Sequence, residues 1–161
     1  MTDDGDQNAR ARALASPLRM RILRICLHEP HTNKEIAAAL NLNPGSTLHH
    51  VRTLVDTGFL QAEEPRRGRR GAREVPYLAT KRSWTTHVPG ISGVLIETFL
   101  QEIAPLAPDD IRVSRLGLKL NDVHREELET RFHNLLQEYV DRPDDPDGTA
   151  ISIMLAIHPE A

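Results

Sequence analysis

The stretch TNKEIAAALNLNPGSTLHHVRTLVDTGFL, residues 32–60, decides how this chain folds. Its first part predicts a short helix that is capped by Thr32 or Asn33 and buries apolar residues at helical spacing. Its second part predicts another helix, because Asn43 is a good N-cap and Pro44 suits the first helical position. The buried stripe of this second helix is expected to hold Leu48, Val51, Leu54 and Val55. Two short helices with a tight turn between them are typical of a helix-turn-helix, and Gly58 is expected to end the second one.

The face of the second helix opposite the stripe is polar and carries no acidic residue before Asp56. Hydroxyl, imidazole and guanidinium groups can donate hydrogen bonds to phosphates and to base edges, and a helix N-terminus attracts anions. We therefore expect this face to bind double-stranded DNA through Asn43, Gly45, Ser46, Thr47, His49, His50 and Arg52.

A basic loop follows directly in LQAEEPRRGRRGAREVPYLA, residues 60–79. Two runs typical of strands, residues 60–63 and 74–78, flank a loop that holds Arg66, Arg67, Arg69, Arg70 and Arg73. This pattern predicts a β-hairpin with a basic tip. Arginines so close together repel one another and add nothing to a core, whereas each arginine that neutralises a phosphate releases a counterion. We expect the loop to contact the DNA backbone or the minor groove.

The order of these pieces resembles that of the arsenic-repressor-type (ArsR-like) winged helix-turn-helix regulators of bacteria. The resemblance is carried by LASPLRMRILR at residues 14–24, KEIA at 34–37, LHHVRTLVDTGFL at 48–60 and the basic loop that closes on Tyr77. It covers residues 9–80, about half of the chain. The resemblance implies that residues 43–53 are the recognition helix, that residues 66–73 are the tip of the wing, and that the protein is a homodimer.

Charge is divided unevenly along the chain. Residues 1–82 contain 14 Lys and Arg against 9 Asp and Glu, whereas residues 83–161 contain 6 against 14. A basic N-terminal half and an acidic C-terminal half indicate a DNA-binding head on a body that does not touch DNA. The single Cys26, the absence of a long apolar run and the polar start MTDDGD favour a cytoplasmic protein without disulfides or a membrane span.

The sequence predicts an α+β protein: an N-terminal winged helix-turn-helix domain, then a helix, then a C-terminal β-α-β extension. Residues 1–8 are expected to be a disordered tail, residues 9–82 the winged domain, residues 83–108 a linker with a dimerisation helix, and residues 109–161 the α/β extension. In such regulators a helix after the wing commonly forms the dimer. We therefore expect a dimer interface on the helix at residues 89–104, through Ile91, Val94, Leu95, Phe99 and Leu100.

In the extension, apolar residues alternate along 111–120 and along 149–157, which predicts two strands, the first with a bulge near Ser114. A helix between them is capped by Asn121 or Asp122. Because two strands make a marginal sheet, further strands must come from the wing, from a second subunit or from both. If the protein responds to a small-molecule or protein effector, we expect it to bind here.

Two alternatives concern the kind of regulator. One is a metal-responsive regulator whose site lies between subunits, since Asp122, His124 and His133 lie on one helix but His133 is too far along it to share an ion within one chain. The other is a winged-helix adaptor for protein partners that does not bind DNA. We favour neither and expect no metal and no cofactor. An enzyme is not indicated, because the chain has no phosphate-binding glycine loop and no nucleophile elbow.

Overall fold

A computed structural model of the protein describes residues 3–68 and 71–160 and divides the chain into two units, residues 1–107 and 108–161. In the first unit, helices account for most of the structure: α1 (Asp3–Leu14), α2 (Pro17–Ile25), α3 (Asn33–Ala39), α4 (Pro44–Asp56) and α5 (Ser92–Ile103). The predicted disordered tail is wrong from Asp3 onward, because α1 begins there and an ion pair between Asp6 and Arg10, one turn apart, supports it.

Short antiparallel strands complete the first unit. A three-stranded sheet has the order β1 (His31–Thr32), β5 (Pro76–Ala79) and β2 (Leu60–Ala62), so the two predicted wing strands pair with each other and gain a third strand. Beyond them, β3 (Arg66–Arg67) pairs with β4 (Arg73–Glu74) to extend the hairpin. The helix-turn-helix followed by this hairpin is a winged helix-turn-helix, as predicted.

The core of the first unit is aliphatic and lies where α1, α2, α3, α4 and the sheet meet. Its buried apolar residues are Ala13, Leu14, Ile22, Leu23, Cys26, Ile36, Leu40, Val51, Leu54, Phe59, Leu60, Ala79 and Val88. The chain enters β2 through Gly58, whose φ of 76° is the left-handed conformation that glycine adopts without strain. Thr80 fixes this turn, because its hydroxyl donates to the Gly58 carbonyl oxygen at 2.8 Å.

The second unit contains one long helix, α6 (Asp122–Val140), which is capped by Asn121 as predicted. A short 3₁₀ turn lies at Pro108–Asp110. The two strands predicted on either side of α6 are wrong for the single chain: residues 111–120 and 149–160 form neither helix nor strand. A β-strand exists only as part of a hydrogen-bonded ladder, and the described residues give these segments no backbone partner of that kind.

The α+β class and the winged domain followed by a helix are therefore as predicted, while the terminal extension shows its helix alone. Across residues 3–68 and 71–160, no helix combines the length and the apolar character needed to span a lipid bilayer.

Candidate nucleic-acid interface

The start of α3 is held by a reciprocal pair of hydrogen bonds. The backbone N–H of Glu35 donates to the Thr32 hydroxyl at 3.3 Å, and the backbone N–H of Thr32 donates to the Glu35 carboxylate at 2.7 Å. This capping box satisfies two donors that the first turn of a helix otherwise leaves unpaired. Asn33 then joins the two helices, because its side-chain amide donates to the carbonyl oxygen of Pro44 at 2.8 Å. The start of α4 is thereby fixed relative to α3.

The N-terminus of α4 is closed by Asn43, whose side-chain oxygen accepts a hydrogen bond from the backbone N–H of Gly45 at 2.7 Å. Gly45 is suited to this cap because a Cβ at that position would lie only 3.0 Å from the same oxygen. Asn43 and Gly45, both predicted as DNA contacts, thus shape the first turn of α4 and also lie exposed on it.

The outward face of α4 differs from the prediction at one position. Ser46, His49 and Arg52 are exposed as expected. The prediction for Thr47 is wrong, since its side chain is fully buried with Val51 and Leu54. Burial is tolerated because the Thr47 hydroxyl donates to the Asn43 carbonyl oxygen at 3.0 Å, which satisfies the polar group inside the helix.

His50 lies at the edge of this face and is half-buried. Its Nδ1 atom is buried and has no hydrogen-bond partner among the described residues. Loss of solvent lowers the pKa of His50 below its ordinary value, and the positive charge of Arg19 and the neighbouring His49 lower it further. His50 is therefore a neutral side chain at pH 7 and a weaker candidate for a phosphate contact than the exposed His49.

The wing is attached to α3 by two ion pairs that the sequence did not reveal. Arg66 of β3 donates from its Nη2 atom to both oxygens of Glu35, at 2.7 and 2.9 Å. On the other strand, Glu74 accepts from the Lys34 ammonium at 2.9 Å. The Thr32 backbone N–H is the main cause of a lowered pKa at Glu35, and Arg66 adds to it. Glu35 thus remains a carboxylate that binds both the helix cap and the wing.

The remaining wing arginines divide into two groups. Arg67 and Arg73 are exposed and form no ion pair with any described residue. The predicted contacts Arg69 and Arg70 lie outside the described residues. Arg66, by contrast, is already bound to a carboxylate, so a phosphate would have to compete with Glu35 for it.

The predicted dimer surface on α5 is partly used within the chain. Ile91 packs against the core of the first unit, and Val94 and Phe99 are half-buried. Arg24 on α2 pairs with Glu102 on α5 at 3.1 Å, which shows the side of α5 that faces α2. Leu95 and Leu100 remain exposed together with Ile96, which the sequence did not single out.

The histidines considered for a metal site belong to the second unit. His124 and His133 are exposed on α6. The described part of the chain brings together no group of three or more His, Cys, Asp or Glu side chains that could hold a metal ion. The single Cys26 is buried, and desolvation raises the pKa of its thiol to about 12.

Residues 14–61, which run from the end of α1 to β2, match the family model described as "Helix-turn-helix domain". No curated protein has significant sequence similarity to the chain.

Several solved structures resemble the fold at low identity. Reduced HlyU from Vibrio cholerae is 16% identical over 66% of this chain and 95% of its own, with a TM-score of 0.41. An ArsR-like transcriptional regulator from a Rhodococcus species is 15% identical over 86% and 96%, also with a TM-score of 0.41. The homodimeric winged helix-turn-helix domain Mb0332 from Mycobacterium bovis is 21% identical over 68% and 89%, with a TM-score of 0.39. The family match identifies residues 14–61 as a helix-turn-helix domain, and the hairpin that follows makes its fold that of a winged helix-turn-helix.

Proposed function

We propose that this protein is a sequence-specific, DNA-binding transcriptional regulator that acts as a homodimer. The observation that carries the proposal is the outward face of α4: Ser46, His49 and Arg52 are exposed there, and the helix has no acidic residue before Asp56. A face of this chemistry can approach the phosphate backbone and donate to base edges in a major groove. The exposed Arg67 and Arg73 of the wing add positive charge that can grip the backbone or the minor groove.

The homodimer is proposed from the exposed apolar side of α5. Leu95, Ile96 and Leu100 are 39%, 46% and 56% exposed, although α5 packs its other side on α2. A second copy related by a two-fold axis would cover these residues with the same residues of its own helix. Two recognition helices related in this way read an inverted repeat with half-sites about 34–36 Å apart. The solved homodimer of a possible ArsR-family regulator named above is in keeping with this assembly.

The DNA proposal is tested by selecting bound fragments from the source genome and measuring affinity for the selected and for random duplexes. Ser46→Ala, His49→Ala and Arg52→Ala should each reduce affinity for the selected site by about 1–3 kcal/mol where a base contact is lost, and much less for random DNA. Arg131→Ala is the matched control for Arg52→Ala, since it removes an exposed arginine from α6. Equal losses on both duplexes would mean that the face touches the backbone alone. Absence of any selected sequence would favour the protein-binding adaptor.

The dimer is tested by light scattering. Leu95→Glu with Leu100→Glu should give a monomer that binds one half-site weakly, because like charges would face each other across the axis. Gln101→Glu places one negative charge on an exposed position of the same helix and should remain dimeric. A double variant that stays dimeric would remove α5 from the interface.

A further inference from the structure

The second unit exposes far more apolar surface than its size requires. Among the described residues from 108 onward none is buried. The large apolar side chains that remain exposed there are Val113, Leu116, Leu118, Leu120, Val123, Phe132, Leu135, Tyr139, Ile151, Ile153, Leu155 and Ile157. Four of them, at positions 113, 116, 123 and 151, are more than 70% exposed. Because large exposed apolar surfaces in soluble proteins mark sites of interaction, we expect these side chains to be covered.

The backbone on either side of α6 is also unsatisfied. Residues 112–120 and 149–160 make no backbone-to-backbone hydrogen bond with the described residues. Both segments nevertheless alternate apolar side chains in the manner of a strand. They also approach each other within the unit, because a Cβ at Gly117 would lie 2.7 Å from the carboxylate of Glu160. Two neighbouring segments with a strand-like pattern need a further strand to form a stable sheet.

The arginines near α6 pair with acidic residues of the same helix. On α6, Arg125 pairs with Asp122, and Arg142 pairs with Glu138 at 2.6 Å. Arg131 likewise lies 3.8 Å from Glu127, one turn earlier. These three arginines therefore have acidic partners along the helix. The apolar side chains, and the backbone of the segments on either side of α6, have no comparable partners among the described residues.

We propose that a second copy of this chain covers this surface, and that residues 149–157 pair with the same residues of the partner as antiparallel strands about a two-fold axis. Residues 111–120 would then form the outer strand on each side of a four-stranded sheet, with the two copies of α6 packed on one face. The assembly gives both segments a backbone partner, and it buries exposed aliphatic residues in a shared core.

Charge decides which segment lies at the axis. Residues 148–157 contain no charged residue, so two copies can pair without opposing like charges. Residues 111–120 carry Arg112, Arg115 and Lys119 with no acidic residue, and self-pairing there would place cations opposite cations. A strand that is apolar on both sides belongs in the middle of a sheet, whereas charged residues are typical of an edge.

The apolar area that each copy would bury is also about the area that a stable dimer interface requires. If each of the exposed apolar side chains loses on the order of 50–100 Å², each copy hides roughly 600–1,200 Å², against about 800 Å² per partner in a stable interface. A second copy is always present at the same concentration and carries the same uncovered surface. For this interface and the proposed α5 interface to close into one dimer, both must share a single two-fold axis.

The proposal is tested by cysteine scanning in the full chain. Ile151, Ser152, Ile153, Met154 and Leu155 are changed to cysteine one at a time, and the variants are oxidised under mild conditions. The native Cys26 is buried with a thiol pKa of about 12, so the introduced cysteine is the reactive one. In antiparallel pairing about a two-fold axis one residue lies directly opposite itself, at a distance that a disulfide can bridge.

One position among the five should therefore form a covalent dimer at least ten times faster than its immediate neighbours. Val113→Cys is the matched control, since it places a cysteine at an equally exposed position of the outer segment and should remain uncrosslinked. Uniform slow crosslinking at all five positions, or fast crosslinking at position 113, would overturn the proposal.

This inference rests on the proposed homodimer but not on DNA binding, and operator affinity is measured on the same variants. Position-specific crosslinking without operator binding would support the shared sheet and remove the proposed function. Operator binding without position-specific crosslinking would overturn the shared sheet and leave the proposed function standing.

Discussion

The two units of this chain differ in how many of their apolar side chains are buried. The first unit covers a continuous aliphatic core, with Leu14, Ile22, Ile36, Val51 and Leu54 fully buried. The described part of the second unit buries no residue, although its sequence is just as rich in aliphatic side chains. The first unit therefore completes a core within the single chain, whereas the described residues of the second unit do not. The difference teaches that the apolar content of a segment does not by itself show whether its side chains are buried within the single chain.

The largest expected effect is on the free energy of unfolding, and it compares an apolar residue of each unit. Leu54→Ala in α4 leaves a cavity in a closed core and should lower the free energy of unfolding by about 2–5 kcal/mol at every protein concentration. Leu155→Ala in the second unit should destabilise the protein by an amount that grows with its concentration, because that residue is buried through association. Urea unfolding at two concentrations a hundredfold apart measures both. If Leu155→Ala is neutral at both concentrations, the second unit gains no core from a partner.

The next effect concerns the wing and compares two neighbouring arginines. Arg67→Ala should weaken binding to all duplexes and flatten the plot of log K against log salt by about 0.9, because an unpaired arginine that meets a phosphate releases one counterion. Arg66→Ala should change the slope less, since Glu35 holds that guanidinium. Salt titrations with Arg131→Ala as the control measure the difference. Equal slopes for the two variants would mean that DNA displaces Glu35.

A complementary change releases Arg66. Glu35→Gln keeps the capping box, which accepts glutamine, and removes the charge that binds the arginine. We expect tighter DNA binding at low salt and a slope steeper by up to about 0.9, with both gains lost in Glu35→Gln, Arg66→Ala protein. An unchanged slope in the single variant would show that the wing stays on α3 without that ion pair.

A smaller effect is expected from pH. The pKa of His50 in the folded protein lies below its ordinary value of 6.5. A depressed pKa contributes stability that is complete above pH 6.5 and is lost as the pH falls through the folded pKa, because the unfolded chain takes up the proton first. Thermal unfolding between pH 7.5 and 5 should therefore show a decline that is shallower in His50→Gln. His49→Gln, which removes an exposed imidazole from the same helix, should retain the decline. Glu35, whose pKa is also lowered, acts in a separate window below its ordinary 4.5.

The smallest expected effect is that of metal. A strong chelator or added zinc should leave operator affinity within about threefold, under 1 kcal/mol. A larger, reversible change that disappears in His124→Ala or His133→Ala protein would instead establish a site between subunits.

Sequence reasoning succeeded where structure is set by neighbours along the chain. The caps at Asn43 and Asn121 and the glycine turn at Gly58 are short-range features, set by residues within one helical turn. It misplaced Thr47 by treating a hydroxyl as necessarily outward, although the carbonyl of Asn43 one turn earlier satisfies it.

Contacts between residues far apart in the sequence were not predicted. The Arg66 to Glu35 pair joins residues 31 positions apart, and nothing in the local pattern of either residue indicates the other. The capping spacing from Thr32 to Glu35 could have placed the carboxylate but not its second partner. The strands at 111–120 and 149–157 were inferred from alternation, which describes side chains and is silent about the backbone partner that makes a strand.

The separation of α4 into two faces also has a practical consequence for redesign. Thr47, Val51 and Leu54 are buried and anchor the helix, while Ser46, His49 and Arg52 are exposed. A library that randomises these three exposed positions therefore varies the outward face of α4 and leaves its buried side unchanged. Gly58 must be kept fixed in such a library. Its φ of 76° is strained for other residues, so substitution would disturb the passage from α4 into the wing. Ser46, His49 and Arg52 are thus the positions at which DNA specificity can be changed, whereas Gly58 has to remain glycine.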